Sequence, residues 1–256
     1  MLEILQLPVL SDNYIYLLHE PEGAATAVVD PALAAPVLKA LDEKGWKLTH
    51  ILNTHHHPDH VGGNLKLKQK TGCTIVALGR DRQRIPGIGF EVGEGDTISL
   101  GQAKARVLEV PGHTIGHIAY WFAEDDALFC GDTLFGMGCG RLFEGEPRQM
   151  WQSLEKIRTL PPSTRIYCAH EYTQANGRFA LTIEPDNPAL TARMERVNDA
   201  RRKGLQTVPS TLAEELATNP FLRPESPAIR RTLGLEDAED WLVFAELRRR
   251  KDQFRG

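Results

Sequence analysis

Nine histidines occur in the chain, and four of them fall in one short stretch, Thr54-His55-His56-His57-Pro58-Asp59-His60. In extended backbone, alternate residues project to one side. His55, His57 and Asp59 share that spacing, and His60 points elsewhere. The stretch follows a predicted buried strand, Ile51-Leu52-Asn53, and precedes Gly62-Gly63, which permit a sharp turn. One short loop can therefore offer ligands in two directions. Imidazole combined with carboxylate suits zinc, iron or manganese. The lack of a nearby cysteine argues against a closed structural zinc site. His56 alternates out of phase and stays outside the candidate site. The plain alternative is a charged surface loop that happens to be rich in histidine.

Three more positions share this character. His113 follows a predicted strand in Val110-Pro111-Gly112-His113-Thr114. Asp132 does the same in Phe129-Cys130-Gly131-Asp132-Thr133, and His170 in Tyr167-Cys168-Ala169-His170-Glu171. Each alone reads as a turn residue. Together they put reactive groups on strand-end loops, where a rigid scaffold presents them. Two metals with three protein ligands each and one shared carboxylate would use the five histidines and two aspartates. His19, His50 and His117 lack this placement and read as structural.

The positioning elements are short and alternate in type over the first two-thirds. Strands are predicted at Tyr14 to Leu18, Thr26 to Val29, His50 to Asn53, Cys73 to Leu78, Ala105 to Val110, Ile118 to Phe122, Ala127 to Cys130 and Thr164 to Ala169. Helices are predicted from Pro36 to Lys44, stopped by Gly45, and from about Gln149 to Leu160, with Met150, Leu154 and Ile157 on one face. Beyond His170, helix-start signals recur at Asn187-Pro188, Thr211-x-x-Glu214 and Ser226-Pro227, and strand alternation is absent. The expected organisation is a metal domain over 1–171 and a helical domain over 172–256.

The 256 residues, with 41% hydrophobic and 25% charged, form a globular balance. No apolar run approaches the roughly 20 residues that span a bilayer, and the start lacks a basic leader. The four cysteines show no CxxC spacing, which with no export signal reads as free thiols in a reducing cytosol. A net charge of -4 argues against general nucleic-acid binding. The expectation is a cytoplasmic monomer acting on a small molecule, with neither nucleic acid nor membrane as partner.

The run His55-x-His57-x-Asp59-His60, followed in order by His113, Asp132 and His170, resembles the metallo-β-lactamase superfamily. Within it, Asn53-Thr54-His55-His56-His57, Gly131-Asp132-Thr133-Leu134-Phe135 with Gly138-Cys139-Gly140-Arg141, and Arg248-x-x-Lys251-Asp252-Gln253-Phe254 are similar to the hydroxyacylglutathione hydrolases, or glyoxalase II enzymes. The resemblance implies an α/β fold, an αβ/βα four-layer sandwich with a C-terminal helical domain. It implies one metal on His55, His57 and His113, a second on Asp59, His60 and His170, and a bridging Asp132. Zinc is the first expectation, with iron or manganese as alternatives. The implied reaction is hydrolysis of S-2-hydroxyacylglutathione, chiefly S-D-lactoylglutathione, to D-lactate and glutathione. This is the second step of methylglyoxal detoxification.

That chemistry agrees with the donors. Two cations about 3.5–4 Å apart can share a hydroxide, because metal binding lowers the pKa of water to roughly 7. Asp59 can orient that hydroxide, and Asp59 and Asp132 are the catalytic carboxylates of this reading. A thiol ionises near pH ~8.5, so the leaving group needs no dedicated acid. In the terminal helix, Trp241, Phe244 and Ala245 form an apolar stripe that Arg248 and Lys251 continue. Two cations there suit the carboxylates of glutathione, Arg248 through a bidentate fork; a solvated helix end is the alternative. Arg249 and Arg250 are assigned to solvent. By the same resemblance, Arg141, Phe143 and Tyr172 contact glutathione. Members of the family often carry Lys at the position of Arg141 and Tyr at that of Phe143. Phe143 lacks the hydroxyl, so a contact there would use the backbone. Other chemistries on this scaffold stay open: lactone or other thioester hydrolysis, and persulfide oxidation.

Overall fold

Aliphatic and β-branched runs separated by polar turns build the first sheet. In this computed structural model all 256 residues are described. They group into two units, Met1–Glu109 with Gly116–Gly131, and Val110–Ile115 with Asp132–Gly256. In the first unit, β1 (Glu3–Val9), β2 (Asn13–Glu20), β3 (Ala25–Val29), β4 (Leu48–Leu52), β5 (Thr74–Leu78) and β6 (Ile88–Val92) lie side by side in chain order. The first three are antiparallel, and β3 to β6 are parallel. α1 (Ala34–Lys44) connects β3 to β4; α2 (Pro58–Val61) and α3 (Asn64–Thr71) connect β4 to β5. β7 (Thr97–Leu100), β8 (Ala103–Glu109), β9 (Ile118–Phe122) and β10 (Ala127–Gly131) form an antiparallel run.

Strand alternation divides the core. Ile15, Leu17, Val28, Ile51, Ile75 and Ala77 pack with Val37, Ala40 and Leu41 of α1 and Leu67 of α3. Tyr16, on the other face of β2, meets Phe129 of β10 edge-on at 5.4 Å. Each such fully buried side chain contributes roughly 1.5–3 kcal/mol, which holds β4 in place as an anchor. At its end, the Tyr120 hydroxyl donates to the Asn53 carbonyl at 2.9 Å, just before the histidine loop departs. α1 ends as expected, with Gly45 in the left-handed region at φ 67°. Five elements of this unit go beyond the sequence reading: β1, β6, β7, α2 and α3. β1 and β6 are edge strands, where Pro8 is tolerated and every residue but the last of each strand is exposed or only partly buried. α3 buries only Asn64 and Leu67, so it shows no apolar stripe.

The second unit contains β11 (Leu134–Phe135), β12 (Gly138–Cys139), α4 (Pro147–Arg158), β13 (Arg165–Cys168), α5 (Thr173–Ile183), α6 (Pro188–Arg202), β14 (Ser210–Thr211), α7 (Leu212–Thr218), α8 (Pro227–Leu233) and α9 (Asp240–Gln253). The predicted α4 begins two residues early, because Pro147 suits the first helical position. Asn187 caps α6, and Thr211 with Glu214 forms a full capping box on α7. Ser226 precedes α8 but donates its hydroxyl to Glu184 instead of capping. The strand-free expectation for 172–256 is corrected by β14, whose two residues pair with Arg165 and Ile166 of β13. Fully buried Glu215 of α7 accepts from the Met137 amide at 2.8 Å, the Asn219 side chain at 3.0 Å and the Ser210 hydroxyl at 2.6 Å, and pairs with Arg193. One carboxylate thus fastens the helices to the β11–β12 hairpin.

Candidate active site

In the first unit the chain leaves β4 extended and turns into α2 at Pro58. His55 and His57 bring Nε2 and Nδ1 within 3.0 Å of each other, the separation of two ligands around one small ion. The extended spacing does not carry on to Asp59. Pro58 begins a helical turn, so Asp59 and His60 are presented by α2, with Asp59 Oδ2 3.6 Å from His60 Nε2. The glycines that follow do not serve a left-handed turn: Gly62 has φ −59° and Gly63 φ −85°. They are needed because the chain runs against Pro31 and Ala32, whose carbonyl oxygens would lie 2.6 Å from any Cβ.

A buried carboxylate organises this loop. Asp30, only 3% exposed, accepts from the Thr54 amide at 2.8 Å, from its hydroxyl at 2.6 Å and from His60 Nδ1 at 3.0 Å. Because the Thr54 hydroxyl gives its proton to Asp30, its oxygen is left to accept from His55 Nδ1 at 3.0 Å. Both histidines therefore turn Nε2 away, ready to ligate. Asn13 donates to Asp59 Oδ2 at 3.0 Å. Asn13, Asp30 and Thr54 were not anticipated as site residues. The one local sign is backbone strain at Asp30, with φ 47° for a residue other than glycine. His56, left out by its phase, points to Asp81 and Arg84. His19 bonds Thr26 and stacks on Trp46, and burial lowers the pKa of His50. His117, read as structural, is fully buried and stacks on His55 with centroids 4.6 Å apart.

The second unit presents His113, Asp132 and His170. The Asp132 carboxylate lies between two imidazoles: Oδ2 is 3.3 Å from His113 Nε2, and Oδ1 is 3.3 Å from His170 Nε2. A carboxylate with one oxygen toward each of two histidines is the geometry a bridging ligand needs. His113 Nδ1 is 2.8 Å from the Arg141 carbonyl. A carbonyl only accepts, so Nδ1 carries the proton and Nε2 is left for a metal. Gly140 permits the close approach, since a Cβ there would sit 2.0 Å from the Asp132 carbonyl.

A cavity of about 460 Å³ opens beside these donors, lined by His113 and Asp132 and by Arg141, Phe143, Tyr172, Arg248 and Lys251. Tyr172 stacks flat on His170 at 4.8 Å. The Phe143 ring meets His113 edge-on at 5.2 Å, and the Phe143 amide donates to the His113 carbonyl. That amide is therefore spent within the chain. Arg248 is 5% exposed. Its fork engages Asp252, at 3.1 Å and 2.8 Å, and its third nitrogen donates to the Cys139 carbonyl at 2.8 Å. The fork expected to grip a ligand carboxylate is thus made to Asp252, because a buried guanidinium requires a partner. Lys251 lies over the Phe179 and Phe254 rings. Burial, then Arg248, Arg141 and Arg178, push its pKa down to about 8. Cys139 lines the cavity as a neutral thiol, pushed up to about 11 by burial despite Arg248. On the docked face of α9 stand Val243, Phe244, Leu247 and Arg248; Trp241 and Ala245 are marginal. Arg249 is exposed, as expected. Arg250 is not simply solvated: it pairs with Glu246 and donates to the Thr232 and Leu233 carbonyls that end α8.

Residues 10–170 match the metallo-beta-lactamase superfamily. The chain belongs to that superfamily, and its fold is the superfamily's α/β fold with a helical C-terminal region. Residues 171–254 match the hydroxyacylglutathione hydrolase C-terminus. A hydroxyacylglutathione hydrolase of Methylococcus capsulatus is 66% identical over 256 residues, covering 100% of both chains. Within the superfamily, the chain is a member of the hydroxyacylglutathione hydrolase family. Among solved structures, ETHE1 from Myxococcus xanthus is similar with a TM-score of 0.68 and 26% identity, covering 97% of this chain and 98% of its own. TTHA1623, solved in a di-iron-bound form, has a TM-score of 0.62 and 25% identity over 86% of this chain and 100% of its own.

Proposed function

We propose that this chain hydrolyses S-2-hydroxyacylglutathione, with S-D-lactoylglutathione foremost, to the 2-hydroxy acid and glutathione. The observation that carries the reading is the cavity. Two metal-type donors, His113 and Asp132, share its lining with the cations Arg141, Arg248 and Lys251. A glutathione thioester has the matching parts, a carbonyl to be attacked and carboxylates to be held.

Two divalent ions, zinc first and iron or manganese as alternatives, are assigned to seven donors. One takes His55, His57 and His113, the other Asp59, His60 and His170, and Asp132 is shared. The donor chemistry supports this: imidazole nitrogens are oriented by outer acceptors, and carboxylates face them. When bound, such ions supply a nucleophilic water near neutral pH and polarise the thioester carbonyl. Asp59 and Asp132 are the catalytic carboxylates, and Asp59 also accepts a hydrogen bond from the attacking water and so aims it. Arg141 and Lys251 hold the carboxylates of glutathione, and Arg248, its fork engaged by Asp252, adds its charge to the cavity lining. Phe143 and Tyr172 wall the site with their rings. The thiolate departs without a proton donor, because thiols ionise near pH ~8.5.

The helical domain is taken as 172–256, supported by the C-terminal family match. A monomer in the cytoplasm completes the reading; no helix is long and apolar enough to cross a membrane. The test is release of free thiol from S-D-lactoylglutathione, with and without a chelator. Metal-dependent release is expected. Turnover of simple lactones with no thiol release would transfer the chain to a different reaction on this fold.

A further inference from the structure

We propose that Asn13 is a positioning residue. It fixes the rotation of the Asp59 carboxylate and thereby the affinity for the metal that Asp59 holds. The inference rests on the assignment of Asp59 as a metal ligand. Asn13 opens β2, where it pairs with Val9 across the hairpin, and is 6% exposed. Its side-chain amide donates to Asp59 Oδ2 at 3.0 Å and approaches the Asp59 main-chain carbonyl at 3.4 Å. One NH2 group therefore pins both the backbone and the carboxylate of the same residue.

Asp59 needs such a constraint. Its side chain is 40% exposed and stands on α2, a helix of only four residues. The terminal torsion of an aspartate is broad, so its own backbone does not decide which oxygen faces a metal. The oxygen that Asn13 holds is the one 3.6 Å from Nε2 of His60, the neighbouring proposed ligand. The strand that carries the donor is laddered to β1 at Asn13 itself and to β3 from Tyr16 onward. The N-terminal hairpin thus supplies the outer partner of a ligand some 46 positions further along the chain.

Loss of an outer hydrogen bond typically weakens metal affinity or activity by about 10–100-fold. Asn13→Leu keeps the volume and removes the donor; Leu10→Ala, on the exposed hairpin tip, controls for disturbance of the hairpin. Apo protein is titrated with Zn(II) against a chromophoric chelator, and again with Co(II) while the d–d spectrum is followed. The expected result for Asn13→Leu is one ion weakened about 10–100-fold, the other within about twofold of wild type, and a changed Co(II) band for the weakened site. Apo Tm stays at the wild-type value, and Leu10→Ala binds both ions normally. Two unchanged affinities, or equal weakening of both ions with a lowered apo Tm, would overturn the positioning role. Failure of the site assignment looks different: wild type itself would take up fewer than two ions, or Asp59→Ala would leave both affinities intact.

Discussion

Lys251 is the proposed substrate-holding residue whose charge changes within the working pH range. Burial, and then the neighbouring cations Arg248, Arg141 and Arg178, bring its pKa down to about 8. Asp252 offsets this in part. Below that pH it is charged and can hold a carboxylate; above it the charge is lost while the arginines keep theirs. KM for the glutathione thioester is expected to rise as pH passes about 8, with kcat little changed. Lys251→Arg should flatten the rise, and a wild-type KM constant to pH 9.5 would show that Lys251 does not hold substrate. The group releases its proton earlier folded than unfolded, so between about 8 and its ordinary 10.5 the folded state gains stability as pH rises. Asp132→Ala acts at the same scale on another residue of the cavity lining. Both oxygens of that carboxylate face imidazoles, so metal content and thiol release should be lost together; an undiminished metal content would remove Asp132 from the ligand set. The metal-type donors were legible because their residue types are rare and their spacing is chemical. Asn13, Asp30 and Thr54 were not, since an asparagine or threonine near a turn carries no sign of what it will touch.

Among the elements, α7 shows how much stability rests on one buried group. Glu215 satisfies an amide, a carboxamide and a hydroxyl and neutralises Arg193, itself 3% exposed. Glu215→Ala leaves that guanidinium buried without its counter-ion and frees the Met137 amide, at a cost of about 3–5 kcal/mol. Urea denaturation measures it, and a loss under about 1 kcal/mol would mean that water replaces the carboxylate. The elements with strong periodicity were readable, as Met150, Leu154 and Ile157 of α4 illustrate, all fully buried. Elements whose reason for existing is tertiary were not. β1 and β6 are edges, α3 is held by two residues, and β14 forms because Ser210 and Thr211 meet β13. The extended-strand argument for Asp59 failed at a single covalent fact, the proline that precedes it, which starts a helix instead of extending a strand.

At the scale of the whole molecule, the change in sequence texture after Glu171 marks where helices begin, but packing does not stop there. The second unit runs from Asp132 through Gly256. Trp151 of α4 lies 6.2 Å from Phe244 of α9, the Asn219 side chain donates to the Phe135 and Gly138 carbonyls, and Arg248 donates to the Cys139 carbonyl. Each of these contacts spans residue 171. A chain cut after Glu171 would expose the apolar face of α4 and strip the β11–β12 hairpin of its outer hydrogen bonds. It should be insoluble or lack cooperative unfolding by circular dichroism, even with metal supplied. The intact chain should unfold in a cooperative transition that metal raises, because an ion that binds only the folded state stabilises by about 2.7 kcal/mol at 100 times its Kd. Chelation should therefore lower the Tm of the wild type and leave that of Asp132→Ala almost unmoved. A truncated chain that folded cooperatively and answered to chelator would show that the helices serve only the substrate, and that the metal-binding part needs nothing beyond residue 171.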